Sequence, residues 1–106
     1  MNKKITDVLV SEYISNPLLI NGKKFDLRIY VCITCANPLR FYIYEDGLVR
    51  FATENFTLSS ENMSNRYVHL TNYSVNKHNH KEGMTVSKYK WSLYALRVTQ
   101  TSQKKV

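Results

Sequence analysis

Residues 23–30 read KKFDLRIY, with Lys24, Asp26 and Arg28 at every second position and Phe25, Leu27 and Ile29 between them. Successive side chains of a strand point to opposite faces. Lys24, Asp26, Arg28 and Tyr30 therefore share one face, and Phe25, Leu27, Ile29 and Val31 the other. Upstream, NPLLINGKK places Asn21-Gly22, a pair that tolerates positive φ, where a tight hairpin turn is needed. Downstream, FDLRIYVCIT stays rich in β-branched and aromatic residues. ANP then turns the chain into LRFYIY, and EDG turns it again into LVRFAT, so the sequence predicts an antiparallel β-meander of three strands. Arg50 lies between Val49 and Phe51 and so opposes an apolar face.

The remaining stretches are less regular. Residues 5–15 mix helical and extended spacing. Residues 53–66 are polar and predict a loop. YVHLTNYSV reads as a short strand, and NKHNHKEGMTVSK as a second polar loop. KYKWSLYALRV is compatible with the start of a flanking helix, and residues 99–106 read as a polar tail. The fold class expected is α+β, with one domain over residues 1–98.

A chain of 106 residues suits one small core. Fifteen Lys and Arg against eight Asp and Glu give a net charge of +7, which favours an anionic partner such as a nucleotide, an acidic peptide or a nucleic acid. No run approaches the roughly 18 apolar residues of a membrane span. MNKKITDVLV begins like a signal peptide, but its apolar stretch is broken by Thr6 and Asp7 and stops at Ser11, so with no membrane partner the expected location is cytoplasmic. There Cys32 and Cys35 are expected to be reduced. Their C-x-x-C spacing on a strand sends the two thiols to opposite faces, which favours buried free cysteines over a metal or disulfide pair. His69, His78 and His80 find no fourth ligand at suitable spacing, so no metal site is expected among them.

Periodicity alone leaves two readings of the charged strand open. The charges are either a solvated outer face with weak ion pairs, or a row of groups aimed at phosphate and carboxylate oxygens.

YISNPLLINGKKFDLRIYV, PLRFYIYEDGLVRFAT and VHLTNYSVNK, in this order and at these separations, resemble the middle of the tubulin–tyrosine ligase-like family. The resemblance runs from about Tyr13 to Lys77, continues more weakly through KWSL, and leans toward the polyglutamylating members. It implies a partial ATP-grasp fold and an ATP-dependent ligase. Such an enzyme adds glutamate, or less readily glycine or tyrosine, to tubulin tails through an acyl phosphate. By resemblance, Tyr13 and Ile14 border the adenine, although Ser11 and Glu12 stand where the family has Gln and a basic residue. Lys24, Phe25 and Asp26 lie on the nucleotide-binding strand, with Asp26 at the ribose or the amino acid. Arg28 faces the acceptor carboxylate or the reacting phosphate, and Arg50 grips the carboxylate of the incoming amino acid. Thr71 and Asn72 are further ATP contacts, while Ser74 and Lys90 complete the amino-acid pocket.

The implied cofactors and substrates are ATP, magnesium and free glutamate. The implied partners are tubulin and microtubules, at the cytoskeleton, a cilium or a basal body. The family draws its magnesium ligands from an Asp and a Glu-x-Asn motif beyond KWSL, whereas no acidic residue follows Glu82 here. The expectation is therefore a central slice of a ligase, lacking the N-terminal lobe and inactive alone. The competing classes are a nucleic-acid binder, since aromatic-rich sheets with basic flanks stack bases, and an inert interaction module. The aromatics are expected mostly in the core and the RNA-recognition aromatic motif is missing, so nucleic acid is disfavoured.

Overall fold

The computed structural model describes residues 7–79 and 85–103. The sheet has four antiparallel strands in sequential order: β1 (Leu19–Ile20), β2 (Lys23–Ala36), β3 (Leu39–Phe51) and β4 (Lys90–Ser92). Two single helical turns, α1 (Arg66–His69) and α2 (Tyr73–Asn76), precede β4, and α3 (Leu93–Gln103) follows it. The architecture is α+β, as the sequence predicts.

The first turn forms as its residues dictate. Asn21 and Gly22 take φ of 52° and 72° and join Ile20 to Lys23 as a two-residue loop. Asn37-Pro38 likewise joins Ala36 to Leu39.

The EDG turn does not exist. LRFYIY and LVRFAT are one strand, and Glu45–Gly47 belong to an irregularity within it. Ile29 pairs with Gly47 and Val31 with Ile43, so Tyr30 alone faces three residues of β3. The reason lies far along the chain. Asp46 Oδ1 accepts from its neighbour Gly47 N (2.8 Å) and from Leu93 N (3.0 Å), the first amide of α3. A carboxylate is favoured at that helix end by the macrodipole. Ser92 Oγ accepts from Ala95 N at 3.0 Å and completes the cap. The chain meets closely here: a Cβ on Gly47 would sit 2.5 Å from the Arg28 carbonyl oxygen and 3.0 Å from Leu93 Cδ1.

Two further expectations change. KWS opens with a strand rather than a helix, because Lys90, Trp91 and Ser92 pair with Arg50, Val49 and Leu48. α3 then runs into the stretch read as a polar tail. YVHLTNYSV forms α1 and α2 instead of a strand. Asn65 Oδ1 accepts from Tyr67 N at 3.0 Å, starting α1, and the Asn72 carbonyl accepts from Val75 N and Asn76 N, starting α2.

The core lies under the half of the sheet nearest the Asn21-Gly22 turn. Val49, Phe51, Tyr89 and Leu96 are buried, with Ile20, Phe25, Trp91 and Leu93 packed against them. Phe51 lies between Phe25 and Trp91, with ring centroids 5.9 and 4.8 Å away. The far half is a bare two-stranded ribbon. Tyr30, Phe41, Tyr42 and Tyr44, expected mostly in the core, are exposed on it, as are Val31, Ile33 and Ile43. Cys32 is exposed there and Cys35 half-buried, both as free thiols, so the expected burial of Cys32 is corrected. Among the described residues no helix is long and apolar enough to cross a membrane.

Candidate functional site

Strand register assembles the site. Asp26 pairs with Arg50 across β2 and β3, and Arg50 with Lys90 across β3 and β4. One row of the sheet therefore runs from a carboxylate on β2 through a guanidinium on β3 to an ammonium on β4, at the spacing of directly opposed residues. Arg50 donates from Nε to Asp26 Oδ1 (2.8 Å) and from Nη2 to Oδ2 (2.5 Å), a bidentate pair. Thr71 Oγ1 donates to the same Oδ2 at 2.9 Å.

Burial opposes ionisation of Asp26. The hydrogen bonds from Arg50 and Thr71, with the charges of Arg50 and Arg28, outweigh it and hold the carboxyl below its ordinary value. The same hydrogen bond raises the pKa of Arg50. Asp26 thus accepts from both Arg50 and Thr71.

In front of this pair is a cavity of about 290 Å³. Arg28, Arg50, Thr71 and Lys90 line it, so four residues singled out in the sequence converge on one space. Tyr30, Leu48, Tyr73 and Tyr89 form its apolar walls. Neither Arg28 nor Lys90 has an ion-pair partner among the described residues. The cavity therefore presents cations and hydroxyls within an aromatic surround, which suits a small anion.

Lys24 lies on the same face, one alternation from Asp26. Its Nζ is 3.4 Å from Tyr13 Oη and 4.6 Å from the Tyr13 ring centroid. Ile14 is exposed. Phe25 points away from this face and packs on Phe51. Asn72 is exposed, and its carbonyl starts α2. Ser74 lies in a separate hollow with Arg66 and His78. The structure therefore groups Arg28, Arg50, Thr71 and Lys90 around the cavity, with Asp26 behind them. It sets Tyr13 with Lys24 beside them, and leaves Ile14, Phe25, Asn72 and Ser74 apart.

Sequence reasoning missed the residues that hold Thr71 in place. Asn76 is buried; its Oδ1 accepts from Thr53 Oγ1 (2.9 Å), and its Nδ2 donates to the carbonyls of Leu70 (2.9 Å) and Asn72 (3.2 Å). Asn79 Nδ2 donates to Thr53 Oγ1 at 2.8 Å. This network ties residues 66–79 to the end of β3. It also missed Tyr73 and Tyr89, whose rings lie 6.3 Å apart at the cavity. The one signal available for Tyr73 was its place two residues after Thr71 in LTNYS.

Magnesium does not fit the described residues. They contain no group of three His, Cys, Asp or Glu able to hold a metal, and both oxygens of Asp26 are engaged. His69 is hydrogen-bonded to Tyr13 and Asn62, and His80 lies outside the described residues.

The family model described as the tubulin-tyrosine ligase family matches residues 1–106. The chain is 48% identical over 94 residues to the human tubulin monoglutamylase TTLL4, covering 84% of this chain and 8% of that protein. It is 56% identical over 71 residues to the mouse tubulin polyglutamylase TTLL5, covering 67% and 5%. With the human probable tubulin polyglutamylase TTLL2 the identity is 62% over 69 residues, 65% of this chain and 11% of the relative. It therefore spans about a tenth or less of the length of these relatives. On the match along its whole length, the chain belongs to the tubulin-tyrosine ligase family.

Proposed function

We propose that this chain supplies the amino-acid pocket and part of the nucleotide-facing strip of an ATP-dependent ligase of the ATP-grasp type. That ligase adds glutamate to the C-terminal tails of tubulin on microtubules, in the cytoplasm and its cilia. The observation that carries the reading is the convergence of Arg28, Arg50, Thr71 and Lys90, from separate stretches of chain, on one cavity. At about 290 Å³ the cavity is at the lower end of the ligand-pocket range of roughly 300–1,000 Å³. It fits an amino acid better than a whole nucleotide. Arg50 already has its guanidinium aimed by Asp26, so its remaining edge can grip a carboxylate without first being ordered.

Lys24 and Tyr13 lie outside the cavity on the same strip, where an ATP phosphate and base would run. ATP supplies the phosphoryl group that makes the acceptor carboxylate electrophilic. The residues of this chain neutralise charge that accumulates on oxygen as that group moves. The described residues supply no set of ligands for magnesium. The chain alone binds nucleotide weakly and turns nothing over.

The test is a chimera in which these residues replace the matching segment of the mouse TTLL5 protein. It is expected to incorporate labelled glutamate into tubulin, and Arg50→Ala in it to abolish transfer while sparing ATP binding. Transfer that survives Arg50→Ala at an unchanged rate refutes the assignment. Glutamate ligation by the isolated chain refutes its incompleteness.

A further inference from the structure

His69 stands outside the cavity and is not a member of the cationic row, yet it is the best-anchored group at the Tyr13 side of the strip. Its Nε2 lies 3.0 Å from the Asn62 carbonyl oxygen, and its Nδ1 lies 2.8 Å from Tyr13 Oη. A carbonyl only accepts, so Nε2 must carry the proton, and in the neutral ring Nδ1 is then an acceptor. Tyr13 consequently donates its hydroxyl proton to Nδ1, and its oxygen lone pairs face Lys24 Nζ at 3.4 Å. The result is a one-directional chain: Lys24 ammonium to Tyr13 hydroxyl, Tyr13 hydroxyl to His69 Nδ1, His69 Nε2–H to the Asn62 carbonyl. Edge-on contacts from Tyr13 and Phe56, at 5.7 and 5.9 Å, fix the plane of the imidazole. Tyr13 belongs to a segment without regular structure, whose neighbours Val10 and Ile14 are exposed. The His69 contact is thus what holds the phenol over Lys24.

We infer that His69 is a positioning residue. Fixed as the Nε2–H tautomer by Asn62, it orients the Tyr13 hydroxyl and through it holds the Lys24 ammonium on the charged strip. The inference rests on the reading of Lys24 as a phosphate-facing group, but the contact itself can be tested without nucleotide.

The experiment uses the 106-residue chain and four variants: Tyr13→Phe, His69→Ala, His69→Gln and His69→Asn. Asparagine places an oxygen where Nδ1 was and can still accept from Tyr13. Glutamine reaches the Asn62 carbonyl but offers nothing at the Nδ1 position. Three quantities are read: the ¹⁵N shifts of the His69 ring, the rate at which limiting acetylating reagent modifies Lys24, and ATP affinity. The expected results are a bare Nδ1 in the wild type and Lys24 acetylation about two- to tenfold faster in Tyr13→Phe, His69→Ala and His69→Gln. His69→Asn is expected to return toward the wild-type rate, although glutamine is nearer to histidine in length. A role in packing alone predicts the opposite order of the last two.

Tyr13→Phe leaves His69 and the interior intact, so it reports even where His69→Ala fails to fold. A protonated Nδ1, or Lys24 rates unchanged in Tyr13→Phe, overturns the inference. If the Lys24 rates follow the expected order while ATP affinity is unchanged throughout, the positioning role stands and the nucleotide role of Lys24 falls.

Discussion

Asn76 offers the sharpest test of how the site is held. Replacing it by alanine removes the acceptor of the Thr53 hydroxyl proton and the donor to the Leu70 carbonyl. The Asn72 carbonyl keeps its backbone partners, Val75 N and Asn76 N, and Thr53 Oγ1 keeps Asn79. Two polar groups are therefore orphaned. At about 1–3 kcal/mol for each unsatisfied buried group, and toward the lower end for Leu70 near the surface, the cost is about 2–4 kcal/mol. Asn76→Asp preserves shape but aims a second acceptor at the Leu70 and Asn72 carbonyls in a site only 1% exposed. The substituted carboxyl is thus favoured in its protonated form when folded, above the unfolded value of about 3.9. Between those two values the folded state binds more protons than the unfolded one, so stability falls as pH rises from about 4. Urea unfolding followed by the fluorescence of Trp91, the single tryptophan and a neighbour of Phe51, measures both variants. A pH-independent Asn76→Asp variant, or one more stable than Asn76→Ala at pH 7, would refute the account of this network.

Asp26 should titrate in the opposite sense. Its folded pKa is depressed, so the ion pair with Arg50 contributes stability above the ordinary aspartate value of 3.8 and loses it as pH falls through the folded value. Acid unfolding of Asp26→Asn should therefore be less steep below about pH 4 than that of the wild type. Gly47→Ala drives a Cβ to 2.5 Å from a backbone oxygen and should lower the urea midpoint by the equivalent of about 1–3 kcal/mol. Ile33→Thr and Phe41→Thr, at side chains 64% and 54% exposed on the ribbon, should stay within about 0.5 kcal/mol of the wild type and raise solubility.

What was legible in the sequence is what short-range chemistry determines. Asn21-Gly22 sets its own φ, and the alternation through Phe25–Ile29 requires only a sheet with one packed face. EDG carries an equally good local turn signal, yet Asp46 bonds to Leu93 N across the sheet and the strand continues. No local pattern announces that partner. YVHLTNYSV alternates well enough for a strand, but Asn76 gains a buried set of partners only if the chain coils there. Coiling also explains the divided fate of the site residues in that stretch. Thr71 and Tyr73 turn toward the cavity, while Ser74 turns to the hollow beside His78. Arg28, Arg50 and Lys90 were found because resemblance named them. The pairing that aligns Arg50 with Lys90 became visible only with the register of β3 and β4.

The charge assembled by that register makes a demand of its own. Arg28, Arg50 and Lys90 surround the cavity, and Asp26 neutralises one of them, which leaves two positive charges facing the same space. Their side chains would relax outward in free strands. Lys90 is kept in the row by three residues of β4 pairing, and β4 is fixed in turn by the Asp46 cap on α3. The repulsion is therefore built in before any ligand arrives, and it is relieved most by an anion that reaches both cations. An amino dicarboxylate does so, whereas glycine and tyrosine bring one carboxylate each. The chain should accordingly bind glutamate more tightly than glycine by at least about tenfold at low ionic strength. The gap should narrow as salt shortens the Debye length from about 30 Å at 0.01 M to about 10 Å at 0.1 M. Arg28→Gln or Lys90→Gln should each reduce the preference, and titration calorimetry reads all of these. Equal affinities for the two amino acids at low salt would show that the uncompensated charges serve something other than the incoming amino acid.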